Sequence, residues 1–240
     1  MSDGRRPAFD PDRVEAVCFD LDDTLFDFEQ YVRAGLLEAA DRTWTHTGRR
    51  LHEELLELYF EEGVTEGTFD RLVERYDLPS TLVPDLVEAY HDHRGPLEPY
   101  PEAEDVLARL GDRYPLGLVT DGRNGREKLG RLGLDGYFDA VVVTHDQGFG
   151  KPDVEAFERV AASLGVEPAA AVYVGDHPEL DVVGPKRLGM GTVRLRRGRY
   201  ADRPSRDDAP PDVEVDRLGA ILDLLDPPIR PADADERASR

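Results

Sequence analysis

Residues 16–27 read Ala-Val-Cys-Phe-Asp-Leu-Asp-Asp-Thr-Leu-Phe-Asp, an apolar run that ends in a cluster of carboxylates. A short apolar run bounded by polar residues is typical of a buried strand. The strand predicted at 16–19 therefore delivers Asp20 and Asp22 to the mouth of a sheet, where open α/β sheets bind ligands. Each carboxylate disfavours ionisation of the other, a costly arrangement that a cation or a catalytic function compensates. One aspartate could attack, the other could carry a proton, and a divalent metal could hold the site together.

The composition is that of a globular protein with an acidic surface. The 240 residues are 40% hydrophobic, which is enough for a large core, and the formal net charge is −21. Such a surface repels the phosphates of nucleic acids, so we expect no DNA or RNA partner. The basic residues comprise three lysines and 27 arginines. This balance resembles proteins of salt-loving archaea, whose high charge keeps them soluble while salt screens the repulsion.

Cysteine usage and hydropathy bear on the location of the protein. Cys18 is the only cysteine, so an internal disulfide is excluded. Residues 1–11 are polar and lack the apolar core of a secretory signal, and no apolar stretch approaches the length of a membrane span. We therefore expect a cytoplasmic protein with no membrane contact.

The segment after the first strand is helical in pattern. Apolar residues recur at helical spacing in four stretches between residues 28 and 94, and glycines and Pro79 separate these stretches. We expect residues 28–95 to form a small helical bundle that is inserted into a different kind of fold. Within this bundle, the aromatic residues Tyr31, Trp44 and Phe69 are expected to pack in the core. His91-x-His93 is expected at a solvated helix end, because this spacing points the two rings apart.

From about residue 99 the pattern alternates between strands and helices. Strands are predicted at 116–119, 140–143, 171–174 and 192–195, with a short edge strand at 213–215. Helices are predicted at 101–113, 124–132, 153–164, 180–188 and 218–225. This alternation favours βαβ units and a parallel sheet. We predict an α/β fold, with a doubly wound parallel-sheet core of residues 1–27 and 96–226, the inserted α-helical domain at 28–95 and a disordered tail at 227–240.

Polar motifs stand at the ends of the predicted strands or in the loops beyond them. They are Asp20-x-Asp22, Thr120-Asp121-Gly122, Lys151-Pro152, and Gly175-Asp176 with Asp181. Their order and context resemble the haloacid dehalogenase superfamily in its phosphatase branch, from residue 14 to about residue 225. The resemblance implies a Rossmann-like core, and the segment 28–95 matches the inserted cap domain of that family.

The resemblance also implies a role for each motif that handles phosphate. Asp20 would be the nucleophile, and Asp22 the acid for the leaving alcohol and then the base that activates water. Thr120 and the backbone amides near Gly122, Asp121 included, would hold the phosphoryl oxygens. Lys151 would neutralise phosphate charge and restrain the nucleophile, which agrees with the use of lysine as a point charge for phosphate.

The same resemblance implies a magnesium site. Asp176 would bind Mg²⁺ together with Asp20 and the backbone carbonyl of Asp22, and Asp181 would support the site. Mg²⁺ prefers carboxylate, carbonyl and water oxygens, and it neutralises charge on both the attacking and the transferring group. Each motif also has a plainer interpretation as a turn, a helix cap or a solvated loop residue.

Two positions depart from the commonest family pattern. Asp121 stands where many members carry asparagine, and His177 where many carry serine. Asp121 adds negative charge near a phosphate pocket unless it points away or pairs with Arg123. The roles of Asp121 and His177 are therefore left open by the sequence.

The sequence leads to an Mg²⁺-dependent phosphatase that hydrolyses a small phosphate monoester through an aspartyl-phosphate. A phosphomutase of the same superfamily is the alternative, because it would keep the same carboxylates and metal. A hydrolytic 2-haloacid dehalogenase is disfavoured by Asp22, which that branch typically replaces. A non-catalytic binding protein on this scaffold is disfavoured by the complete set of carboxylates. The expected partner is a small phosphorylated metabolite, and the sequence does not identify which one. The chain is expected to be a monomer or homodimer.

Overall fold

The computed structural model describes residues 9–145 and 147–225. The chain divides into two compact units, one formed by Met1–Phe26 with Pro99–Arg240 and the other by Asp27–Glu98. The tail predicted to be disordered, residues 227–240, lies outside the described residues.

The first unit is built on a parallel sheet of six strands. In chain order they are β1 (Ala16–Phe19), β2 (Leu116–Thr120), β3 (Ala140–Val143), β4 (Ala171–Gly175), β5 (Gly191–Leu195) and β6 (Val213–Val215). Their order across the sheet is β3-β2-β1-β4-β5-β6, and every pairing is parallel. The central strands are buried along their whole length, which matches their nearly continuous apolar sequences. The predicted doubly wound α/β fold is confirmed.

The described residues contain nine α-helices. They are α1 (Phe28–Thr47), α2 (His52–Phe60), α3 (Thr68–Arg75), α4 (Val83–Asp92), α5 (Ala103–Gly111), α6 (Gly125–Leu132), α7 (Val154–Leu164), α8 (Val183–Arg187) and α9 (Ala220–Leu225). The prediction for residues 180–188 was too long at its start. His177 Nδ1 accepts from the backbone N–H groups of Glu179 and Leu180, and this turn delays the helix.

The strand order reverses between β1 and β4. The chain runs from β1 to β2 and β3 on one side, then crosses to β4, β5 and β6 on the other. Ligands of open α/β sheets bind at such a switch point, outside the carboxyl ends of the strands. Asp20 follows β1 and Asp176 follows β4, and the backbone N–H of Asp20 donates to the carbonyl of Val174 at 2.9 Å. The topology therefore places both aspartates at the switch point.

Helix α7 packs closely on the sheet beside this point. A Cβ built on Gly117 of β2 would lie 2.6 Å from Val160 Cγ2, so only glycine permits this approach. The rings of Phe157 and Tyr173 meet edge to face with centroids 4.9 Å apart, and Tyr173 Oη donates to the carbonyl of Val119. These contacts fix the loop before α7, which carries Lys151.

The second unit is a bundle of α1 to α4, and none of its residues forms a strand in the described structure. Its core is aliphatic, with fully buried Leu55, Leu58, Leu72 and Leu86. Helix α1 ends at Gly48, whose φ of +71° is the left-handed conformation that glycine adopts without strain.

Two expectations about this unit were wrong. Tyr31 and Phe69 are buried as expected, but the side chain of Trp44 is 45% exposed, and the Arg50 guanidinium stacks over its ring at 4.6 Å. His93 is buried rather than solvated, and its ring meets that of Tyr31 with centroids 4.4 Å apart. Both departures depend on long-range packing that helical spacing does not encode.

Among the described residues, none of the helices combines the length and the apolar character that crossing a membrane requires.

Candidate active site

Lys151 joins two of the predicted carboxylates in a buried cluster. Its Nζ donates to Asp20 Oδ1 at 2.5 Å and to Asp181 Oδ1 at 2.7 Å. All three side chains are nearly inaccessible to solvent. Thr24 Oγ1 donates to the other oxygen of Asp20 at 3.3 Å. The nucleophile proposed from sequence is thus held on both oxygens.

Three carboxylates form a group that fits a divalent cation. One oxygen each from Asp20, Asp176 and Asp181 lie within 4.8 Å of one another, and all three residues are buried. Among the described residues, Asp176 Oδ2 is buried without a hydrogen-bond partner. A buried carboxylate oxygen is costly to leave unpaired, and oxygens of this kind are the ligands that Mg²⁺ prefers. The residues present therefore fit a magnesium ion.

The pKa shifts of the buried carboxylates also favour a bound cation. Burial, together with the charges of Asp181 and Asp20, raises the pKa of Asp176 to about 9. Burial likewise raises the pKa of Asp20 to about 7, although Lys151 opposes this change. Burial alone would lower the pKa of Lys151, but the carboxylates of Asp181 and Asp20 hold it well above its ordinary value. The cluster needs additional positive charge to keep its carboxylates ionised.

Asp181 is held in place by the loop after β4. Its Oδ2 accepts from the backbone N–H of His177 at 2.9 Å while its Oδ1 receives Lys151. A Cβ built on Gly175 would lie 2.4 Å from the carboxyl carbon of Asp181, so the motif requires glycine at this position. The ring of His177 packs against Tyr200, with centroids 4.2 Å apart, and its Nδ1 closes the turn. His177 thus shapes the loop rather than presenting its ring nitrogen Nδ1 to a ligand.

The loop after β2 contains the predicted phosphate-binding residues. Thr120 is buried, and its Oγ1 accepts from the backbone N–H of Gly122 at 3.3 Å. The carboxylate of Asp121 accepts from the hydroxyl of Thr144 and from the backbone N–H of Lys151 at 3.1 Å. Asp121 therefore ties the second motif to the third. It does not pair with Arg123 among the hydrogen bonds of the described residues, and the Nε of Arg123 instead donates to His145.

Asp22 has a partner that no motif in the sequence indicates. Its Oδ1 accepts from Nζ of Lys128, a residue of α6 that is 1% exposed. The carboxylate of Asp22 lies outside the three-carboxylate group, so only its backbone carbonyl is a candidate metal ligand. The rarity of lysine could have drawn attention to Lys128, because the chain has only three.

Comparisons with known proteins find chains that are similar in sequence and in fold. Glyceraldehyde 3-phosphate phosphatase from Methanopyrus kandleri is 38% identical over 226 residues, which cover 88% of this chain and 97% of that protein. The crystal structure of a HAD phosphatase from Thermococcus onnurineus is 30% identical, with a TM-score of 0.62 over 88% of this chain and 98% of that one. A 2-haloacid dehalogenase from Pseudomonas syringae is 27% identical, with a TM-score of 0.62 over 89% and 98% of the two chains.

The family model described as haloacid dehalogenase-like hydrolase matches residues 14–189, which include all four polar motifs. This match and the parallel sheet with its buried carboxylates lead to one assignment: the chain belongs to the haloacid dehalogenase-like hydrolase family.

Proposed function

We propose that this protein is a phosphatase that hydrolyses a small phosphate monoester, with glyceraldehyde 3-phosphate as its first candidate substrate. The observation that carries the proposal is the Asp20–Lys151–Asp181 cluster beside Asp176 at the switch point of the sheet. The candidate substrate comes from the name of the relative that is 38% identical and aligned over 97% of its length.

The first step in this proposal transfers the phosphoryl group to the protein. A carboxylate oxygen of Asp20 attacks phosphorus, a new O–P bond forms, and the ester P–O bond breaks. Asp22 gives a proton to the departing oxygen, so the product leaves as an alcohol. Lys151 holds Asp20 in place and offsets part of the phosphate charge, and backbone amides near Gly122 receive the phosphoryl oxygens.

The second step returns the protein to its starting state. Asp22, now ionised, takes a proton from a water molecule whose oxygen attacks phosphorus. The O–P bond to Asp20 breaks, and inorganic phosphate leaves. Asp20, Asp176 and the carbonyl of Asp22 would hold Mg²⁺, with Asp181 as support. When bound, the ion supplies positive charge that lets a carboxylate approach a phosphoryl dianion.

The related dehalogenase and phosphomutase chemistries remain the alternatives to be tested. Asp22 supports the phosphatase over the dehalogenase, because replacement of a halide needs no proton donor for the leaving group. A mutase would isomerise a sugar phosphate with no net release of phosphate. Two further parts of the proposal concern location and domain organisation. We propose that the protein acts in the cytoplasm. We also propose that the unit Asp27–Glu98 is the cap domain of the family.

The test measures phosphate release from a panel of monoesters in molar KCl, with either Mg²⁺ or EDTA. The panel contains glyceraldehyde 3-phosphate, phosphoglycolate, phosphoserine and p-nitrophenyl phosphate. We expect metal-dependent release, fastest with glyceraldehyde 3-phosphate, and a loss of at least about 10³-fold in kcat in Asp20→Asn. Asp207→Asn removes one exposed carboxylate and serves as the matched control with parental activity.

Other outcomes would replace the proposal. Phosphate release that is unchanged in EDTA or in Asp20→Asn would exclude this mechanism. Isomerisation of a sugar phosphate without phosphate release would establish the mutase, and halide release from a 2-haloacid would establish the dehalogenase.

A further inference from the structure

The buried ammonium of Lys128 contacts the carboxylate that the proposed mechanism uses for proton transfer. Its Nζ donates to Asp22 Oδ1, although the two residues are 106 positions apart in the chain. The side chain of Lys128 is 1% exposed and that of Asp22 17% exposed. Burying an ammonium is costly unless it is paired with good geometry. This pair therefore fixes the position of one carboxylate oxygen.

Lys128 also borders the loop after β2. A Cβ built on Gly122 would lie 2.8 Å from Lys128 Nζ and 3.0 Å from Asp22 Oδ2. The ammonium and the second oxygen of Asp22 thus lie on the same side of Gly122, whose backbone is the proposed phosphoryl cradle. Lys128 holds Oδ1, which leaves Oδ2 beside the place where the ester would bind.

Two of the three lysines of this chain lie at the candidate site. Of its three lysines, Lys128 and Lys151 are both buried at the carboxyl edge of the sheet, whereas Lys186 is 30% exposed and pairs with Asp212. Arginine supplies the other 27 basic residues. Lysine brings a compact point charge to such a site, whereas arginine would bring a wider guanidinium fork.

We propose that Lys128 is a positioning residue that holds Asp22 Oδ1 so that Oδ2 carries the proton exchanged with the leaving oxygen. The inference rests on the proposed function. In the first step the proton passes from Asp22 Oδ2 to the ester oxygen as the P–O bond breaks and the Asp20 O–P bond forms. Lys128 keeps its own protons throughout and acts through the orientation of the carboxylate.

The test compares esters that differ in how much they need a proton donor. An alkyl phosphate such as glycerol 3-phosphate has a poor leaving group, whereas p-nitrophenyl phosphate has a good one that departs without protonation. Because kcat/KM reports the first phosphoryl transfer, we expect Lys128→Met to lower it by about 10²-fold or more for the alkyl ester. For p-nitrophenyl phosphate we expect less than about a fivefold change.

A double-mutant cycle tests whether Lys128 acts through Asp22. Asp22→Asn should show the same selective loss for the alkyl ester, and adding Lys128→Met to it should lower kcat/KM no further. Lys186→Met is the matched control, because it removes the third lysine from its pair with Asp212, and it should retain parental values for both esters.

The remaining outcomes overturn the inference. An equal loss for both esters in Lys128→Met would assign Lys128 to phosphate binding or to the fold, and no loss would remove its role. If Lys128→Met does not fold by circular dichroism in molar KCl, Lys128→Gln replaces it, and unfolding of both would assign a structural role only. A parent that releases phosphate from none of the esters would refute the proposed function itself, and this inference with it.

Discussion

Asp176 illustrates how a single residue can be costly for folding and useful for binding. Its side chain is buried, one oxygen has no hydrogen-bond partner in the part of the chain that the structure describes, and its pKa is raised to about 9 by burial and by neighbouring carboxylates. Natural proteins keep such groups where function requires them.

Asp176→Asn should therefore stabilise the protein in the absence of metal. The amide removes the buried carboxylate, and its NH₂ group can donate to the oxygens of Asp20 or Asp181. We expect a gain of about 1–3 kcal/mol in the free energy of unfolding, seen as a higher Tm in EDTA. The measurement is a thermal melt of parent and variant in molar KCl.

With Mg²⁺ present, the parent should melt at a higher temperature than Asp176→Asn, the reverse of the order expected in EDTA. Mg²⁺ raises the Tm of the parent because it binds only the folded state, and Asp176→Asn should lose this response. Asp207→Asn should melt like the parent in both conditions. A variant that is less stable in EDTA, or that still responds to Mg²⁺, would contradict the assignment of Asp176.

At the scale of elements, strand β1 lies at the centre of the sheet and carries the single cysteine of the chain, whose reactivity reports whether the strand is covered. Cys18 of β1 is fully buried, and burial raises the pKa of its thiol to about 12. The thiolate is the reactive form, so the folded protein keeps Cys18 neutral as well as covered.

Alkylation of Cys18 by iodoacetamide should be negligible in the folded protein between about pH 7 and 9. A thiol placed on the exposed face of α7 by Ser163→Cys should react, with a rate that rises about tenfold per pH unit below its pKa. Mass spectrometry counts the adducts. Rapid labelling of Cys18 without denaturant would show that β1 opens locally, contrary to its place in the sheet.

A second prediction at this scale concerns Gly175 at the end of β4. Gly175→Ala should be destabilised by about 1–3 kcal/mol and lose Mg²⁺ response, because the new Cβ would meet Asp181 at 2.4 Å. Gly130→Ala is the matched control, since Gly130 lies in α6 with no neighbour within 4 Å of the new Cβ. The control should gain about 0.5–1 kcal/mol from helix propensity. Urea unfolding in molar KCl measures both, and equal behaviour of the two variants would refute the close packing at Gly175.

The whole molecule carries a net charge of −21, which acts on the folded state as self-repulsion. Salt screens this repulsion within a Debye length of about 10 Å at 0.1 M. We expect Tm to rise by about 2–8 °C from dilute buffer to molar KCl, since about 1–2 kcal/mol of relieved repulsion has this effect in a chain of this size. Sucrose of equal osmolality is the control, because it is excluded from the protein surface but does not screen charge. Equal melting temperatures with and without KCl would refute the salt-adapted interpretation of the composition.

Much of the fold could be predicted because its signals are local. β1 and β3 have the predicted bounds of 16–19 and 140–143, since short uninterrupted apolar runs favour a strand both in the buried centre of the sheet and at its half-buried edge. The order of polar motifs along the chain then identified the carboxyl edge of the sheet. The start of α8 was missed, because a side-chain contact within the turn, and not periodicity, decides where that helix begins.

The sequence by itself determined the strand-helix alternation, the candidate nucleophile at Asp20 and the acidic surface, since each depends on residue type and short spacing. Only the tertiary structure decided that Lys128 pairs with Asp22, that Asp121 bonds Thr144 and Lys151, and that Trp44 is exposed. The two pairings depend on the strand order, which brings loops that are tens of residues apart to one edge of the sheet, whereas the exposure of Trp44 depends on how the helices of the second unit pack. Contacts across such distances depend on the packing of the whole unit, which no local pattern records.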